Sequence, residues 1–390
     1  MEKLTIVHIS LASSFTENMS YQENFLTNQN IKDGHKVVII SNASKFVDGK
    51  LVDVPEEDTI LPNGLRLIRL KYSFFVSKTL SKKIKKVKGL YNLLLNIKPD
   101  IIFSHSTSYY SLLDCIKYKK NHKNIHFVAD NHASKYNSGK NFWSDFFLHK
   151  GLYKFVTRKA LKYLDAYYYI GIDEKRFAMT KYKVPDELLS FYPLGGYVAN
   201  DEQYKLARNK TRELLGCSEE TILFVHSGKM SEEKKTKQLI QSFSKVKDER
   251  FMLIIIGSFD ECEQEKVMEL IKKDERIRFL GWKNSQELFD YLCAGDVYCQ
   301  PGSVSATLQN SICCRCAIMS FPHDNYVLEI NNNNFYWVRE DDDITCFFED
   351  VSNNNVDIEK MKNKSYELAK KVLNYEQLAQ KLYNDCGYKI

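Results

Sequence analysis

The residues best suited to chemistry in this chain are two lysines around a glycine, just after a short apolar run. The run is Ile222–Val225, and it is followed by Ser227, Gly228, Lys229 and Lys234. This order predicts a strand, a tight turn and the start of a helix. A helix N-terminus favours an anion, and cations on either side of the turn suit a diphosphate. Because the GxxxxGK[ST] pattern of a Walker loop is absent, the segment indicates nucleotide-sugar chemistry, with a solvated basic helix start as the alternative.

Short apolar strands alternate with helical patterns in both halves of the chain, and these elements must position the lysines. The alternation predicts an α/β protein with parallel sheets built from βαβ units. The predicted strands are Leu4–Ser10, Lys36–Ser41, Leu65–Leu70, Ile101–His105, Ile125–Ala129, Ala166–Ile170, Ile222–Val225, Phe251–Ser258, Ile277–Trp282, Asp296–Cys299, Ala317–Phe321 and Phe335–Val338. The predicted helices include Glu23–Ile31, Leu80–Ile97 and Asn374–Tyr388.

Length and a break near the middle of the chain predict two domains. A chain of 390 residues exceeds one ordinary domain. The pattern is interrupted at Pro193–Gly196, and the polar stretch Asn200–Arg212 is interpreted as a linker. We expect a first domain over residues 1–199, a second over 200–372 and a terminal helix over 373–390 that can return to the first domain. Two doubly wound domains would offer the carboxyl ends of their strands to a ligand held between them.

Composition and charge exclude several classes of protein. The net charge of +6 fits an acidic ligand or an anionic surface better than a dedicated nucleic-acid protein, so no nucleic acid is expected as a partner. No signal-peptide pattern opens the chain, and the longest apolar run, Phe251–Ile256, is far shorter than the ~20 residues that span a bilayer. A soluble, cytoplasmic protein is expected. Cys313, Cys314 and Cys316 lie in an apolar context and are expected to be buried rather than metal-binding.

The motifs of both halves, taken in order, resemble those of the family 4 glycosyltransferases, which are retaining enzymes of the GT-B fold. In the second half, the resemblance is carried by Gly228–Lys234, the strand that ends at Gly257, Phe279–Trp282 and Leu288–Ser303. In the first half it is looser and is carried by Gly34–His35, Pro99–His105, Asp130–His132 and Pro193–Gly196. The resemblance implies two Rossmann-like domains that face each other across a cleft, with the nucleotide-sugar donor on the second domain.

The sequence departs from the family pattern in two places. The loop after the first strand, Ser10–Phe25, contains no glycine where the family is glycine-rich, and we expect it on the acceptor side. The family's two glutamates after the last motif are also missing, since no carboxylate occurs between Asp296 and Asp324. Their places fall near Ser303 or Ser305 and near Gln309 or Asn310.

The resemblance implies a set of donor-binding residues: Gly228, Lys229, Lys234, Gly257, Trp282, Ser303, Ser305, Thr307, Gln309 and Asn310. The two lysines would hold the diphosphate and stabilise the charge of the leaving group. Trp282 would flank the base, or else be a core residue. The hydroxyl residues would contact the phosphates or the sugar, or else form an ordinary helix cap. The amides Gln309 and Asn310 would bind ribose or sugar hydroxyls without supplying negative charge.

His132 and Glu23 are, with the two lysines, the candidates for catalysis. His132 would bind the transferred sugar or handle the acceptor proton, or else be a structural hydrogen-bonding residue. Glu23 would be an acceptor-side base or a carboxylate that complements its helix dipole. We expect no cofactor and no essential divalent metal, because no DxD motif ends a strand and Asp341–Asp343 lies in an acidic run that is interpreted as solvated.

The segment Lys78–Lys88 is rich in lysine, and apolar residues recur through it at helical spacing. A basic amphipathic helix can lie on an anionic membrane surface. The alternative is a helix that packs on the core and turns its lysines to water. If the first interpretation holds, the protein associates with the inner face of the plasma membrane.

Together these patterns predict a glycosyltransferase that moves a sugar from a nucleotide diphosphate to a hydroxyl of a glycan or lipid-linked acceptor, with retention. The resemblance implies capsule, O-antigen or related polysaccharide assembly. A non-catalytic partner of the same fold is an alternative, because the glutamates are missing. A sugar-nucleotide epimerase is disfavoured, since it would need carboxylates in the segment that lacks them.

Overall fold

The computed structural model describes residues 3–19, 21–47, 50–75, 77–134, 144–259 and 261–388. The strands are β1 (Thr5–Ser10), β2 (Lys36–Asn42), β3 (Ser44–Val47), β4 (Lys50–Asp53), β5 (Glu57–Ile60), β6 (Arg66–Leu70), β7 (Ile101–Ser104), β8 (His126–Asn131), β9 (Ala166–Tyr169), β10 (Leu189–Phe191), β11 (Ile222–Met230), β12 (Phe251–Phe259), β13 (Ile277–Phe279), β14 (Val297–Gln300), β15 (Ala317–Ser320) and β16 (Phe335–Trp337).

The α-helices are α1 (Gln22–Lys32), α2 (Lys78–Ile84), α3 (Leu90–Ile97), α4 (Leu112–Asn121), α5 (Lys154–Ala160), α6 (Ile172–Phe177), α7 (Asp201–Leu215), α8 (Thr236–Lys245), α9 (Glu261–Ile271), α10 (Ser285–Ala294), α11 (Thr307–Cys313), α12 (Asp324–Val327), α13 (Asp341–Ser352), α14 (Ile358–Leu368) and α15 (Tyr375–Asp385). Wider π-helical turns occur at Ser144–Tyr153, Ala178–Tyr182 and Ala369–Leu373, and 3-10 turns at Asp186–Leu188 and Glu232–Lys234.

The chain divides into two compact units. Unit 1 is Met1–Pro193 together with Tyr375–Ile390, and unit 2 is Leu194–Asn374. The chain therefore passes from unit 1 to unit 2 at Pro193–Leu194 and returns at Asn374–Tyr375.

Unit 1 is built on a sheet in the order β10-β9-β8-β7-β1-β2-β6-β5. Its neighbours pair in parallel, except that β5 runs antiparallel to β6. Both faces of the central strands are covered, and for this reason their sequences are continuous apolar runs rather than alternating ones. Parallel strands place their carboxyl ends at one edge, so the residues after β7, β8 and β9 lie along that edge.

Unit 2 is built on a parallel sheet in the order β13-β12-β11-β14-β15-β16. Phenylalanines from β11, β12, α8 and α13 pack edge to face at its centre: Phe224, Phe243, Phe251, Phe347 and Phe348. The cysteine cluster Cys313, Cys314 and Cys316 is buried. The α/β class and the doubly wound architecture predicted from the sequence are confirmed.

The polar stretch predicted as a linker is a helix, so that prediction was wrong. Asn200 caps α7 by accepting a hydrogen bond from Gln203 N at 2.8 Å, and the Gln203 side chain bonds back to Asn200 N. This reciprocal arrangement is a capping box. Arg208 and Arg212 of the same helix bind the buried Asp296 at 2.6 and 3.1 Å. The charges of the stretch therefore serve helix packing.

The single helix predicted over Leu80–Ile97 is two short helices, α2 and α3. Lys85 takes a left-handed conformation with φ +54°, and Gly89 does so with φ +82°. These two residues end one helix and begin the next. Apolar side chains on the expected amphipathic face, such as Leu90 and Leu94, are fully buried in the core of unit 1.

The terminal helix α15 belongs to unit 1. Tyr383 accepts a hydrogen bond from Asn30 of α1 at 2.7 Å, and Tyr192 donates one to Leu378 O at 2.9 Å. Leu378, Ala379 and Leu382 are buried against the sheet. Within the described part of the chain, no helix combines the length and apolar character needed to cross a membrane.

Candidate functional site

The ends of β11 and β12 lie unusually close together. Gly228 and Gly257 are partners in the parallel register. Their φ angles are +138° and +142°, a region that L side chains rarely adopt. A Cβ on Gly257 would lie 1.8 Å from the carbonyl oxygen of Gly228. Both positions therefore need glycine, and of the two Gly228 is partly exposed whereas Gly257 is buried.

Strand β11 is longer than the sequence pattern predicted. Ser227, Gly228 and Lys229 are the last part of β11 rather than a tight turn, and α8 begins only at Thr236. The prediction of a turn at Gly228 was wrong, because pairing with the equally long β12 keeps the backbone extended. Lys229 is exposed on the strand end, so the two lysines do not flank one turn.

Lys234 lies over the paired glycines. The place where a Cβ of Gly228 would sit is 3.4 Å from Cε and 3.6 Å from Nζ of Lys234. Only 7% of Lys234 is exposed, and no carboxylate among the described residues comes within ion-pair distance of its ammonium group. Burial lowers the pKa of Lys234 to about 8. A buried cation without a counter-ion is costly, so this position favours an anionic ligand.

The loop after β14 holds Lys234 in place from the other side. A Cβ on Gly302 would lie 2.0 Å from the carbonyl oxygen of Glu233. Ser303 N donates to that same oxygen at 2.9 Å, and the Gln300 side chain donates to Ser303 O. We call the contact between Gly302–Ser303 and Glu232–Lys234 the loop clamp.

Tyr298 organises the remainder of this loop, and sequence reasoning did not single it out. Its buried hydroxyl lies 3.2 Å from Ser227 Oγ and 3.2 Å from Gln300 Oε1. The hydroxyl groups of Ser305 and Thr307 lie close enough to Tyr298 to offset part of the rise that burial causes in its pKa. Ser305 Oγ also accepts a hydrogen bond from Thr307 N at 3.3 Å, so this hydroxyl group, predicted to contact phosphate or sugar, makes a bond inside the loop. No signal in the sequence distinguishes a tyrosine that organises hydrogen bonds from a tyrosine that only packs in the core.

Gln309 and Asn310, predicted to bind ribose or sugar hydroxyls, lie against the double glycine at the start of unit 2. Gln309 Oε1 accepts a hydrogen bond from Gly195 N at 2.9 Å. A Cβ on Gly196 would lie 2.9 Å from Asn310 Oδ1 and 2.8 Å from Cys313 Sγ. The amide oxygen of Gln309 therefore uses one of its two acceptor sites within the fold.

Trp282 is accessible near the end of β12. The residue is 70% exposed. Gly257 N donates to Gly281 O at 2.9 Å, which fixes the loop that carries Trp282 beside the glycine pair. An exposed aromatic ring at this point can stack on a base. The acidic run Asp341–Asp343 is the first turn of α13, where Asp343 accepts from Glu340 N, so it caps a helix.

A second cluster lies in unit 1, where β7 and β8 end. Asp130 Oδ2 is 3.2 Å from His105 Nδ1 and 3.1 Å from His132 Nε2, and Asp130 Oδ1 accepts from Ser106 N at 2.8 Å. Asp130 and His105 are buried, whereas a third of the His132 side chain is exposed. His132 is therefore the member that a ligand can reach.

The charge state of His132 follows from its neighbours. Burial by itself would lower the pKa of His132, but the Asp130 carboxylate outweighs burial and raises that pKa to about 9. Glu23 and Glu174 act in the same direction. At neutral pH the imidazole is therefore a cation and a hydrogen-bond donor. Of the two tasks considered for His132, binding a hydroxyl or an anion fits this state, and accepting a proton does not.

Glu23 and Glu174 also lie near enough to His132 for their charges to raise its pKa. Glu23 lies in the first turn of α1 and is 8% exposed. Glu174, which sequence reasoning missed, lies in the first turn of α6 with its pKa raised by burial. Gly171 just before α6 was the available signal, since a glycine between a strand and a helix often marks a site.

His105, Asp130 and His132 each offer one ligand atom, and these atoms lie within 4.8 Å of one another. Such a group could in principle hold a metal ion. Both histidine nitrogens, however, lie at hydrogen-bond distance from the same carboxylate oxygen. We therefore interpret the three residues as a hydrogen-bonded group rather than as metal ligands.

Part of unit 2 is similar to a known protein family. Residues 219–353 match the family model described as "Glycosyl transferases group 1". No curated protein matches the chain. The family match covers β11 to α13, including the glycine pair, Lys234 and the loop clamp.

Solved structures are similar over almost the whole chain. HepE of Anabaena in complex with UDP has a TM-score of 0.68 at 11% identity, covering 99% of this chain and 100% of that one. Sucrose-phosphate synthase of Thermosynechococcus elongatus has a TM-score of 0.69 at 13% identity, covering 98% of each chain. The catalytic domain of starch synthase IV of Arabidopsis thaliana, bound to ADP and acarbose, has a TM-score of 0.67 at 12% identity, covering 99% of each. The chain therefore has the GT-B fold, and its second unit carries the segment that matches the group 1 glycosyltransferases.

Proposed function

We propose that this protein is a glycosyltransferase that takes a sugar from a nucleoside diphosphate sugar and transfers it to a hydroxyl of a glycan or lipid-linked acceptor. The observation that carries the proposal is the buried ammonium of Lys234 above Gly228, for which the described part of the chain supplies no carboxylate partner. The group 1 match over the same segment, and structural neighbours bound to UDP and to ADP, support a nucleotide donor.

In this proposal Lys234 binds the diphosphate and stabilises the charge that grows on it as the glycosidic bond breaks. Lys229 adds positive potential from the exposed strand end. Trp282 stacks on the base, and the backbone at Gly228 and Gly257 contacts the phosphates. These cations serve the leaving group, and we propose that no divalent metal is essential.

The cluster in unit 1 is proposed to bind the transferred sugar or the acceptor. His132 donates a hydrogen bond to a hydroxyl, because it is protonated at neutral pH. Glu23, near His132 in the same unit, is the proposed base for the acceptor hydroxyl. Retention of the anomeric configuration, and a setting in surface polysaccharide assembly, rest on the family resemblance alone.

A non-catalytic partner that binds the nucleotide is the second candidate. The missing carboxylates between Asp296 and Asp324 favour it, and so does the engagement of the Gln309 amide oxygen by Gly195. Such a protein would bind donor without turnover. An epimerase is less compatible with this segment, because it would need an acid and a base there.

A screen of UDP, GDP, ADP and their sugars separates these candidates. Binding is measured by calorimetry, and turnover by release of nucleoside diphosphate with candidate acceptors. Binding and turnover of one sugar nucleotide support the transferase. Binding without turnover supports the partner, and no binding by any nucleotide rejects both.

Membrane association is proposed as electrostatic attraction through Lys78–Lys88. Lys78 and Lys82 both bind Asp53, at 2.8 and 2.9 Å, which reduces the charge they offer to lipids. We expect flotation with anionic vesicles at low salt and loss of binding at high salt, since the attraction is screened. Absence of binding at low salt would contradict the proposed membrane association.

A further inference from the structure

A chain of polar side chains runs from His132 through the interior of unit 1 to the helix α15. Successive members are within hydrogen-bond distance, and the interior members are buried. The members, in order, are His132, Asp130, His105, His8, Asn30, Tyr383 and Asp33. We call this the polar chain.

The outer end of the polar chain fixes the direction of its hydrogen bonds. Tyr383 has one hydroxyl hydrogen and lies 2.7 Å from Asp33 Oδ2 and 2.7 Å from Asn30 Nδ2. A carboxylate can only accept, so Tyr383 donates to Asp33 and accepts from the Asn30 amide. The carbonyl oxygen of Asn30 then faces His8 Nε2 at 2.9 Å, and His8 must carry its hydrogen on Nε2.

The direction continues through the two histidines. Burial, followed by the charge of His105, lowers the pKa of His8 to about 3, so His8 is neutral and its Nδ1 has no hydrogen. His105 Nε2 lies 3.0 Å from that Nδ1 and must donate to it. His105 Nδ1 faces the Asp130 carboxylate at 3.2 Å. Two lone pairs would repel at this distance, so Nδ1 also carries a hydrogen and His105 is an imidazolium.

The hydrogen on His105 Nδ1 faces the carboxylate of Asp130. Asp130 is fully buried, and a buried carboxylate needs a partner to stay ionised. His105 supplies that partner through the hydrogen on its Nδ1, while Ser106 N holds the other oxygen. The carboxylate then faces His132 Nε2 at 3.1 Å, and the attraction of this ion pair orients the ring.

We propose that Asn30 and Tyr383 are positioning residues: through His8 they fix two hydrogens on His105, which holds Asp130 as a carboxylate and orients His132. The role of His132 towards a sugar rests on the function proposed above, whereas the hydrogen pattern does not. Tyr383 lies on α15 and Asn30 on α1, so two elements remote from the strand ends control the site.

Tyr383→Phe tests the polar chain, and Tyr192→Phe is the matched control. Both tyrosines are buried and each forms a hydrogen bond involving α15, but Tyr192 donates to Leu378 O outside the polar chain. Without the Tyr383 hydroxyl, the Asn30 amide is released to turn its nitrogen towards His8. His8 then takes its hydrogen on Nδ1, donates to His105 and leaves His105 neutral.

The readout is the imidazole ¹⁵N spectrum of the full-length protein at pH 7, assigned with His8→Gln and His105→Gln. We expect His8 as the Nε2–H tautomer and His105 protonated on both nitrogens in the wild type and in Tyr192→Phe. In Tyr383→Phe we expect His105 to show one protonated nitrogen. Once a donor and acceptor are known, kcat should fall several-fold in Tyr383→Phe with nucleotide affinity unchanged.

Three results would overturn the proposal: a wild-type His8 with its hydrogen on Nδ1, a Tyr383→Phe spectrum identical to the wild type, or displacement of the His105 and His132 N–H hydrogens by added Zn²⁺ alone. The third result would make the cluster a metal site. If the protein proves to transfer no sugar, the spectra still decide whether the polar chain exists.

Discussion

Lys234 is a lysine whose burial makes its charge costly. A lysine that is 7% exposed has lost most of its hydration, and no carboxylate of residues 3–388 that the structure describes forms an ion pair with its ammonium group. The pKa falls to about 8 as a result. A bound diphosphate would replace the lost hydration with charge-assisted hydrogen bonds. The affinity of the site is therefore coupled to the proton on this amine.

We expect Lys234→Ala to weaken binding of the preferred nucleoside diphosphate by about 10- to 100-fold, since hydrogen bonds to charged groups contribute roughly 1.5–3 kcal/mol. Wild-type affinity should also fall as pH rises from 7 to 9, because Lys234 loses its proton near pH 8. The ligand phosphate is already ionised above a pKa of about 6. Calorimetry across this range measures both effects.

Lys229→Ala is the control for that experiment. Its exposed side chain should contribute less, and its variant should keep the fall in affinity between pH 7 and 9. A pH-independent wild type, or equal losses in both variants, would count against Lys234 as the buried cation of the site.

The charge of His132 stabilises the folded protein, whereas the charge of Lys234 is made costly by burial. Burial works against its protonated form, but Asp130 raises its pKa from 6.5 to about 9. The pair therefore stabilises the fold fully below about pH 6.5 and loses this contribution as pH rises through about 9. His132→Gln should remove on the order of 1 kcal/mol at pH 6.5, a modest value because the side chain is partly exposed. It should remove almost nothing at pH 10.

Urea unfolding of the wild type and His132→Gln at several pH values measures the difference. Its decrease from pH 6.5 to 10 is the expected result. A constant difference over this range would show that the imidazolium–carboxylate pair does not stabilise unit 1.

At the scale of elements, the strand ends and the loop clamp bring together residues that are far apart in sequence. Gly302 comes some 70 residues after Gly228, yet both lie against Lys234. The clamp works because Gly302 has no side chain, which lets the carbonyl oxygen of Glu233 approach and accept a hydrogen bond from Ser303 N.

Gly302→Ala should separate the loop from the Glu232–Lys234 turn, because its Cβ would sit 2.0 Å from Glu233 O. We expect nucleotide affinity to fall at least about 10-fold, or 1.4 kcal/mol. Gly216→Ala is the control: it has a left-handed φ of +71° but open space around it, at the C-terminus of α7. It should cost about 1 kcal/mol of stability and leave affinity unchanged, as judged by thermal unfolding and calorimetry. Equal effects on affinity would mean that the clamp does not shape the site.

The positions of most strands along the chain could be predicted from the sequence, because buried parallel strands leave continuous apolar runs. The residue types of the segment proposed to bind the donor could be read in the same way. The extension of β11 through Lys229 could not be predicted, since it depends on pairing with β12. The break at Lys85 also gave no signal, because a lysine in a left-handed conformation looks like any other lysine. Gln309 was predicted as a ligand contact, but its amide oxygen binds Gly195, which only the folded chain brings near. The polar chain depends in the same way on tertiary structure.

At the scale of the molecule, the last helix completes the first unit. α15 buries Leu378, Ala379 and Leu382 against the sheet of unit 1. Tyr383 and Tyr192 add hydrogen bonds to α1 and to the backbone of α15. The stability of the N-terminal sheet therefore depends on residues at the other end of the chain.

Truncation after Asn374 should destabilise unit 1 and spare unit 2. Burial of three aliphatic side chains of this size is worth roughly 1–3 kcal/mol each, enough to expose unit 1 to proteolysis. Limited proteolysis with mass spectrometry should show cuts before Pro193 and an intact fragment from Leu194 onward. Leu378→Ala is a milder test of the same contact. Protection of both units after truncation would show that α15 is dispensable.

The second unit begins and ends at neighbouring points. Gly196 N donates to Leu373 O at 3.0 Å, and Gly196 pairs with Asn374. When the first and last residues of a unit are neighbours, the unit can be removed or replaced by a related one from another gene. The exchange needs only two junctions and little added linker. Recombination at these two points would exchange the whole second unit, where we propose that the nucleotide binds, and leave the sheet and the last helix of unit 1 unaltered. If the second unit binds the donor as proposed, donor preference can be inherited separately from the rest of the chain.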